Sequence, residues 1–126
     1  DLVLLAAPCS GLGTIRRDPE VRWRRTEADV PVFAATQRTM LERAARAVKP
    51  GGRVVFATCS SEPEEGEDVV TEFLGGHSAF AVEDPRSRPG PLAAFPGLFT
   101  TEGFLRTWPH AHGLESFFAA VLRHRR

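Results

Sequence analysis

Leu2-Val3-Leu4-Leu5-Ala6-Ala7 is a continuous apolar run that ends at Pro8 and is followed directly by Cys9-Ser10-Gly11. Such a run, bounded by turn residues, is typical of a strand buried on both faces of a parallel sheet. A second run of this kind, Arg53 to Thr58, is followed directly by Cys59-Ser60-Ser61. Each cysteine is therefore predicted at the carboxyl end of a strand, the edge where open α/β sheets bind ligands.

The composition indicates one soluble globular domain, because 126 residues suffice for a single core. The formal net charge is zero, so RNA or DNA binding would have to depend on local basic clusters. The apolar runs are far shorter than the roughly 20 residues of a membrane helix, so no membrane contact is predicted. Two cysteines are too few for a secreted disulfide scaffold, which favours the cytoplasm.

The order of predicted elements indicates an α/β fold. Between the two apolar strands, apolar residues at helical spacing predict a helix from Val30 to Val48, which Lys49-Pro50-Gly51-Gly52 ends. Two parallel strands joined by a crossover helix, a second helix and a closing antiparallel pair are expected. The later elements are a helix from Glu62 to Gly75, a short strand near Phe80 to Val82, and strands at Leu105 to Trp108 and Phe117 to Arg123.

A basic segment follows the first cysteine. Five arginines surround Trp23, and they are Arg16, Arg17, Arg22, Arg24 and Arg25. Arginines neutralise phosphates and aromatic rings stack on unpaired bases, so the segment is interpreted as a rim that grips RNA. The alternative is a solvated loop with Trp23 packed on the core, and Asp18 and Glu20 weaken the charge argument.

Two thiols at neighbouring strand ends suit covalent catalysis on one shared substrate. A helix that begins just after Cys59 would lower the pKa of this thiol and favour the nucleophilic thiolate. Two inert buried cysteines, or a disulfide, remain alternatives. No metal site is predicted, because His110 and His112 lack a cysteine at a suitable spacing. Phe117 and Phe118 are expected to pack in the core.

These motifs together resemble the C-terminal half of the catalytic domain of RNA (cytosine-5)-methyltransferases of the Sun/Fmu and nucleolar NOP2 type. Four segments carry the resemblance, and they cover nearly the whole chain apart from the loop between Phe80 and Phe99. They are Ala7 to Thr14 with the arginines and Trp23 that follow, Lys49 to Ser60, Glu64 to Val70, and Arg106 to Ala120.

The resemblance implies a Rossmann-like fold and methylation of cytosine at position 5 in RNA, ribosomal RNA in particular, with S-adenosylmethionine as cofactor. Cys59 would attack position 6 of the base, and Cys9 would help to release the methylated RNA. RNA contacts are expected from Pro8, Ser10, Gly11, Arg16, Arg17, Arg22, Trp23 and His110. Pro8 and Gly11 would shape a pocket for a base that has left its stack, although simple turn residues would look the same. Cofactor contacts within the chain are expected from Ala6, Ala7 and Pro8.

The chain also departs from the family pattern. Ala6 stands where the family usually has an aspartate thought to orient the cytosine, Gly66 replaces an asparagine, and Glu115-Ser116 replaces Asp-Gly. Residues 1–126 are expected to be a partial catalytic domain that lacks the N-terminal cofactor-binding motifs. The free edge of the strand at residues 2–7 is expected to pair with that missing half or with a second copy of the chain.

Two other classes of function stay open. The first is a non-catalytic module for RNA binding or protein interaction derived from such an enzyme, which Ala6 and the missing half favour. The intact cysteine pair argues against this class, because a binding module has no need of two thiols. The second is a thiol hydrolase or redox protein, which no Cys-x-x-Cys pair or His-Asn pattern supports.

Overall fold

A computed structural model describes residues 1–126 as five strands, four helices and several short 3-10 turns. The strands are β1 (Leu2–Ala6), β2 (Arg53–Thr58), β3 (Phe80–Val82), β4 (Leu105–Arg106) and β5 (Phe118–His124). The helices are α1 (Val21–Arg24), α2 (Asp29–Ala47), α3 (Glu67–Gly76) and α4 (Pro109–His112). None of these helices has the length and the apolar composition that crossing a membrane requires.

All five strands belong to one sheet, in the order β1, β2, β5, β3, with β4 also paired to β5. β1 and β2 run parallel, with Ala6 opposite Ala57. β5 runs antiparallel to β2. Its other edge pairs with β4 near its beginning and with β3 near its end. The predicted α/β fold, with two parallel strands and a closing antiparallel pair, is therefore confirmed.

The core lies between one face of the sheet and helices α2 and α3, which also pack on each other. Alternate residues of β2 and β5 point into it, as the period of a strand requires. The apolar face predicted for α2 packs as expected, with Gln37, Leu41 and Ala45 buried, Phe33, Met40 and Ala44 half-buried, and Ala34 buried beside them. Gln37 is the one strongly polar residue of this buried group, and its side-chain amide donates hydrogen bonds to the carbonyl of Pro8 and to Glu65.

The expectation that β1 is buried on both faces is wrong. Leu2 and Leu4 keep 65% and 69% of their surface exposed, whereas Leu5 is buried. The reason is that β1 lies at the edge of the sheet and pairs only with β2, while α2 covers one face of it. The predicted pairing of this edge with another strand stays a prediction.

The second predicted helix, from Glu62 to Gly75, is divided in two. Pro63–Glu65 forms a 3-10 turn, and the α-helix proper begins only at Glu67. Gly66 between them has φ −145° and ψ −94°, which is not helical backbone. This break turns the side chain of Glu65 into the protein, where it is completely buried. The basic segment, for which no helix was predicted, contains the short helix α1.

Gly13 joins three segments that meet above the carboxyl ends of β1 and β2. Its N–H donates to the carbonyl of Cys59 over 2.9 Å, and its own carbonyl accepts from the N–H of Ser116 over 3.0 Å. A β-carbon at this position would lie 2.0 Å from the Ser116 carbonyl oxygen and 2.7 Å from that of Cys59. The backbones approach so closely that only glycine fits here.

We expect Gly13→Ala to lower the free energy of unfolding by about 3 kcal/mol, because the added methyl group forces backbone segments apart. Denaturant titration followed by circular dichroism measures this loss. Gly97→Ala is the matched control, since a β-carbon at Gly97 meets no atom within 4 Å. Equal stability of the two variants would contradict the account of Gly13.

Candidate active site

The two thiols meet at the carboxyl ends of the parallel strands. Cys59 follows the last residue of β2 directly, and Cys9 lies three residues beyond the end of β1. Because β1 and β2 are parallel neighbours in register, their ends lie at the same edge of the sheet. The two Sγ atoms are 3.3 Å apart, and both cysteines are free and half-buried. The predicted juxtaposition of the thiols is present in the structure, whereas a disulfide between them is not.

The contact between the sulfurs makes the two thiols unequal. The hydrogen bond from Cys9 is the largest influence on Cys59 and lowers the pKa of this thiol to about 6, although burial and the charges of Glu65 and Glu115 oppose it. The same hydrogen bond, followed by burial, raises the pKa of Cys9 far above its ordinary value. The directions of the two pKa shifts therefore favour Cys59 as the thiolate and Cys9 as the donor.

The cause of the low Cys59 pKa differs from the sequence-based expectation. We expected a helix N-terminus just after Cys59 to stabilise the thiolate. The helix α3 begins only at Glu67, with the 3-10 turn Pro63–Glu65 in between. The second thiol supplies the stabilising hydrogen bond instead.

A buried carboxyl group holds the two cysteine segments in place. Glu65 Oε1 accepts from the N–H of Ser10 over 2.7 Å, and Oε2 accepts from the Ser10 hydroxyl over 2.6 Å. Oε2 also accepts from the Ser60 hydroxyl over 2.5 Å. Ser10 and Ser60 are the residues that follow Cys9 and Cys59, and both are completely buried. Glu65 therefore links the turn after β1 to the turn after β2.

The Cys9 segment has two further supports. Gln37 of α2 donates through Nε2 to the carbonyl of Pro8 over 2.9 Å and more weakly, over 3.4 Å, to Glu65. Arg25 donates through Nε to the carbonyl of Ser10 over 2.9 Å. The carbonyls of Pro8 and Ser10, one on each side of Cys9, are thus held by side chains from separate segments. These hydrogen bonds restrict the backbone that carries the Cys9 thiol.

The Cys59 segment is supported by a buried arginine. Arg106 of β4 donates through Nη1 to the carbonyl of Ser60 over 2.5 Å and through Nη2 to Glu67 at the start of α3. Its guanidinium lies 5.0 Å from the ring centre of Phe118 and 5.3 Å from that of Trp108. Charge pairing and contact with aromatic faces together stabilise this buried cation.

The residues predicted to contact RNA occupy different environments. Arg16, Arg17 and Arg22 are exposed. Trp23 keeps 79% of its surface exposed and has the Arg22 guanidinium 5.1 Å from its ring centre, so the alternative that Trp23 packs on the core is wrong. His110 is exposed on α4, with its ring centre 5.9 Å from that of Trp108.

The remaining predicted residues surround the thiols. Pro8 is exposed, Gly11 is half-buried, and Gly11 adopts a positive φ of 74° that favours glycine. Ser10 is completely buried and bound to Glu65, so it supports the Cys9 segment from inside. Ala6 is exposed and Ala7 buried at the end of β1. No three His, Cys, Asp or Glu side chains come together as they would around a metal ion.

Sequence reasoning missed the supporting residues Glu65, Gln37 and Arg106. Residues 62–67 contain four glutamates, and nothing in the sequence distinguishes Glu65 as the one that is buried. Gln37 did carry a signal, because it is a polar residue on the apolar stripe of α2, and a buried amide needs a partner.

Comparison with known proteins agrees with the fold and the motifs. The family described as 16S rRNA methyltransferase RsmB/F matches residues 1–123. A protein of Mycobacterium tuberculosis, provisionally named as a methyltransferase, is 44% identical over 98% of the chain. Ribosomal RNA small subunit methyltransferase F of Shewanella loihica is 37% identical over 97%. Among solved structures, that of NSun6 from Pyrococcus horikoshii with SFG matches 98% of the chain with a TM-score of 0.77, and the two sequences are 27% identical.

The fold is that of S-adenosylmethionine-dependent methyltransferases. Within that class, the chain belongs to the 16S rRNA methyltransferase RsmB/F family. The resemblance to this group is therefore confirmed. The chain spans only about a quarter of the length of these relatives: 26% of the mycobacterial protein, 25% of the Shewanella enzyme and 29% of NSun6.

We expect alkylation of Cys59 by iodoacetamide to follow a titration with its midpoint near pH 6. Cys9→Ala removes the donor while burial and the nearby carboxylates remain, so the midpoint should rise by about one unit or more. Cys9→Ser is the matched control, because its hydroxyl still donates and should keep the midpoint low. The account fails if Cys9→Ala leaves the midpoint unchanged.

Glu65→Ala should lower the free energy of unfolding by about 3 kcal/mol, because it leaves one N–H and two hydroxyls buried without an acceptor. Urea denaturation measures the change. Glu64→Ala is the matched control, since the neighbouring carboxylate is exposed and should contribute little. A similar effect of the two substitutions would show that Glu65 does not join the segments as described.

Proposed function

We propose that this chain carries the catalytic thiols of an RNA (cytosine-5)-methyltransferase, with ribosomal RNA as substrate. The observation that supports this most is the thiol pair, in which Cys59 is a stabilised thiolate 3.3 Å from the Cys9 proton donor. At pH 7, a pKa of about 6 leaves roughly ten thiolates for each thiol at Cys59. A nucleophile that is ready at neutral pH is what an addition to cytosine requires.

The proposed reaction begins with the addition of Cys59 to carbon 6 of cytosine. The new sulfur–carbon bond breaks the 5,6 double bond and moves its electron pair toward carbon 5, which becomes a nucleophile. S-adenosylmethionine, when bound, supplies the methyl group that carbon 5 takes up. A base then removes the proton from carbon 5, the 5,6 double bond forms again, and Cys59 leaves as a thiolate.

Cys9 has two roles in this scheme. Before the reaction its thiol donates to the Cys59 sulfur and keeps that sulfur ionised. During release, donation to the departing Cys59 thiolate stabilises it as a leaving group. Both roles use the same hydrogen bond. Without this donor a Cys59 thiol still ionises in part near neutral pH and can add to the base, so we propose that Cys9 matters more for release of the product than for formation of the adduct.

The residues present provide only part of a cofactor site. Ala6 ends β1 and Ala7 and Pro8 follow it, leading into Cys9, and Ala6 and Pro8 are exposed. They would make apolar contacts with bound S-adenosylmethionine, but they have no side-chain hydrogen-bonding group for its ribose or adenine. We infer that the other contacts come from outside these residues. The free edge of β1 is the place where a further strand would join the sheet, from the rest of a longer polypeptide or from a second copy.

RNA is the substrate that the exposed basic side chains favour. Arg16, Arg17 and Arg22 provide cations for phosphates, and the exposed Trp23 ring provides a face for an unpaired base. The names of relatives such as the Shewanella enzyme point to ribosomal RNA and, with it, to the cytoplasm. A non-catalytic binding module is the weaker proposal, because RNA binding alone gives no reason for a thiolate held by a second thiol.

The test is transfer of tritium-labelled methyl groups from S-adenosylmethionine to ribosomal RNA by the longest natural product of the gene. We expect incorporation as 5-methylcytosine, and we expect Cys59→Ala to abolish it because no adduct can form. Cys9→Ala should instead accumulate a protein–RNA complex that survives denaturing electrophoresis, since release is slowed. Cys9→Ala together with Cys59→Ala is the control that should show no such complex.

Two results would contradict the proposal. Methyl transfer that persists in Cys59→Ala would exclude the covalent route through this thiol. RNA binding without any methyl transfer by the natural product would favour the binding module.

A further inference from the structure

A groove of about 610 Å³ lies between the basic segment after β1 and the segment that leads into β5. Its floor includes the apolar side chains of Leu98, Leu105, Leu114 and Phe117, and Arg16 and Arg17 lie along it. A volume of this size is in the range that binds a small organic ligand. Because apolar and cationic side chains line the same groove, it suits a ligand that has one flat apolar part and one negatively charged part.

Phe117 presents its ring to this groove. Its neighbour Phe118 is completely buried, whereas Phe117 keeps 39% of its surface exposed, so the expectation that both rings pack in the core holds only for Phe118. The backbone of Phe117 is fixed: its N–H donates to Thr107 Oγ1, and its carbonyl accepts from the Thr107 N–H, both over 3.0 Å. An exposed aromatic ring on a fixed backbone is a ready stacking surface.

The two arginines give the groove a cationic side. Arg16 donates through Nη1 to the carbonyl of Gly113 over 2.9 Å, which positions the guanidinium while its other N–H groups stay free. Arg17 forms an ion pair with Glu115 at 3.3 Å, and 72% of its side chain is exposed. Arg16 is therefore the unneutralised cation of the groove, placed to contact a phosphate.

The groove is connected to the nucleophile through two backbone hydrogen bonds. Ser116 donates to the carbonyl of Gly13, and Gly13 donates to the carbonyl of Cys59. Phe117 is thus attached to the same short network as the thiolate. The charge of Glu115, which lines the groove, also influences the Cys59 thiol, in agreement with this proximity.

We propose that this groove binds the nucleotide next to the target cytosine in single-stranded RNA, with its base stacked on Phe117 and its phosphate on Arg16. The inference rests on the proposed function for the identity of the target base. A base must leave any stack before a thiolate can reach its carbon 6, and the neighbour then loses a stacking partner. Phe117 replaces that partner, and the contact is tolerant of sequence because every base has a π-face.

The experiment measures RNA binding without S-adenosylmethionine, so that its result does not depend on methyl transfer. The probe is a fluorescein-labelled nine-nucleotide RNA with one central cytosine. The longest natural product of the gene is titrated into this RNA, and binding is measured by fluorescence anisotropy. The variants are Phe117→Ala and Phe117→Trp. Phe95→Ala is the matched control, because Phe95 is exposed and does not line the groove. Thermal denaturation verifies that each variant is folded.

We expect Phe117→Ala to weaken binding by about 10-fold, whereas Phe117→Trp and Phe95→Ala stay near wild type. An abasic site at one neighbour of the cytosine should weaken binding to the wild type by a similar factor. The same abasic RNA should bind Phe117→Ala no worse than the intact RNA does, because the ring and the base form one contact. Arg16→Ala should lower the slope of log affinity against log salt concentration by about one, the value for one phosphate contact. Arg46→Ala, on the exposed side of α2, is the control and should leave this slope unchanged.

The proposal is overturned if the wild type does not bind the RNA, or if Phe117→Ala and Phe95→Ala bind it with equal affinity. It is also overturned if the abasic site lowers the affinity of the wild type and of Phe117→Ala by the same factor. The last result would leave the groove open to another occupant, such as an acidic peptide. These outcomes are distinct from failure of the proposed function, because loss of methyl transfer in the presence of the predicted binding pattern would contradict only the chemistry.

Discussion

The carboxyl group of Glu65 binds the two segments that follow the parallel strands, and the geometry of the thiol pair depends on it. Burial of a carboxylate costs several kcal/mol, and charge-assisted hydrogen bonds return about 1.5–3 kcal/mol each. Three short hydrogen bonds, from one N–H and two hydroxyls, are therefore enough to offset the burial of Glu65. The same hydrogen bonds hold Cys9 and Cys59 in position through Ser10 and Ser60, the residues directly after them.

The ionisation of Cys59 is a balance between opposing influences. Burial and the two carboxylates of Glu65 and Glu115 disfavour the thiolate, whereas the hydrogen bond from Cys9 favours it and prevails. The carboxyl group that fixes the position of the thiols thus also opposes the charge that makes one of them reactive. A second thiol at this distance resolves the conflict, since it donates a hydrogen bond without adding a positive charge that would bind the carboxylates instead.

The segment from Thr107 to Phe118 connects the sheet, the Cys59 segment and the groove proposed to bind RNA. Ser116 reaches Gly13 through its backbone, Phe118 fills the core, and Phe117 faces the groove. The alternation of a strand explains the last two placements, because consecutive side chains point to opposite faces. One short element therefore contacts the Cys59 segment through backbone hydrogen bonds and also carries the exposed ring that we propose as an RNA contact.

The sequence by itself determined the α/β class, the parallel pair of strands, the helix α2 and the location of both thiols at one edge of the sheet. These features depend on local apolar patterns and on the rule that parallel neighbours end together, so they can be predicted without coordinates. Only the tertiary structure decided which thiol has the lowered pKa, that Glu65 rather than Glu62, Glu64 or Glu67 is buried, and that β1 exposes Leu2 and Leu4. Each of these depends on contacts between residues distant in sequence, such as Cys9 with Cys59 and Ser10 with Glu65, and no local pattern encodes such distances.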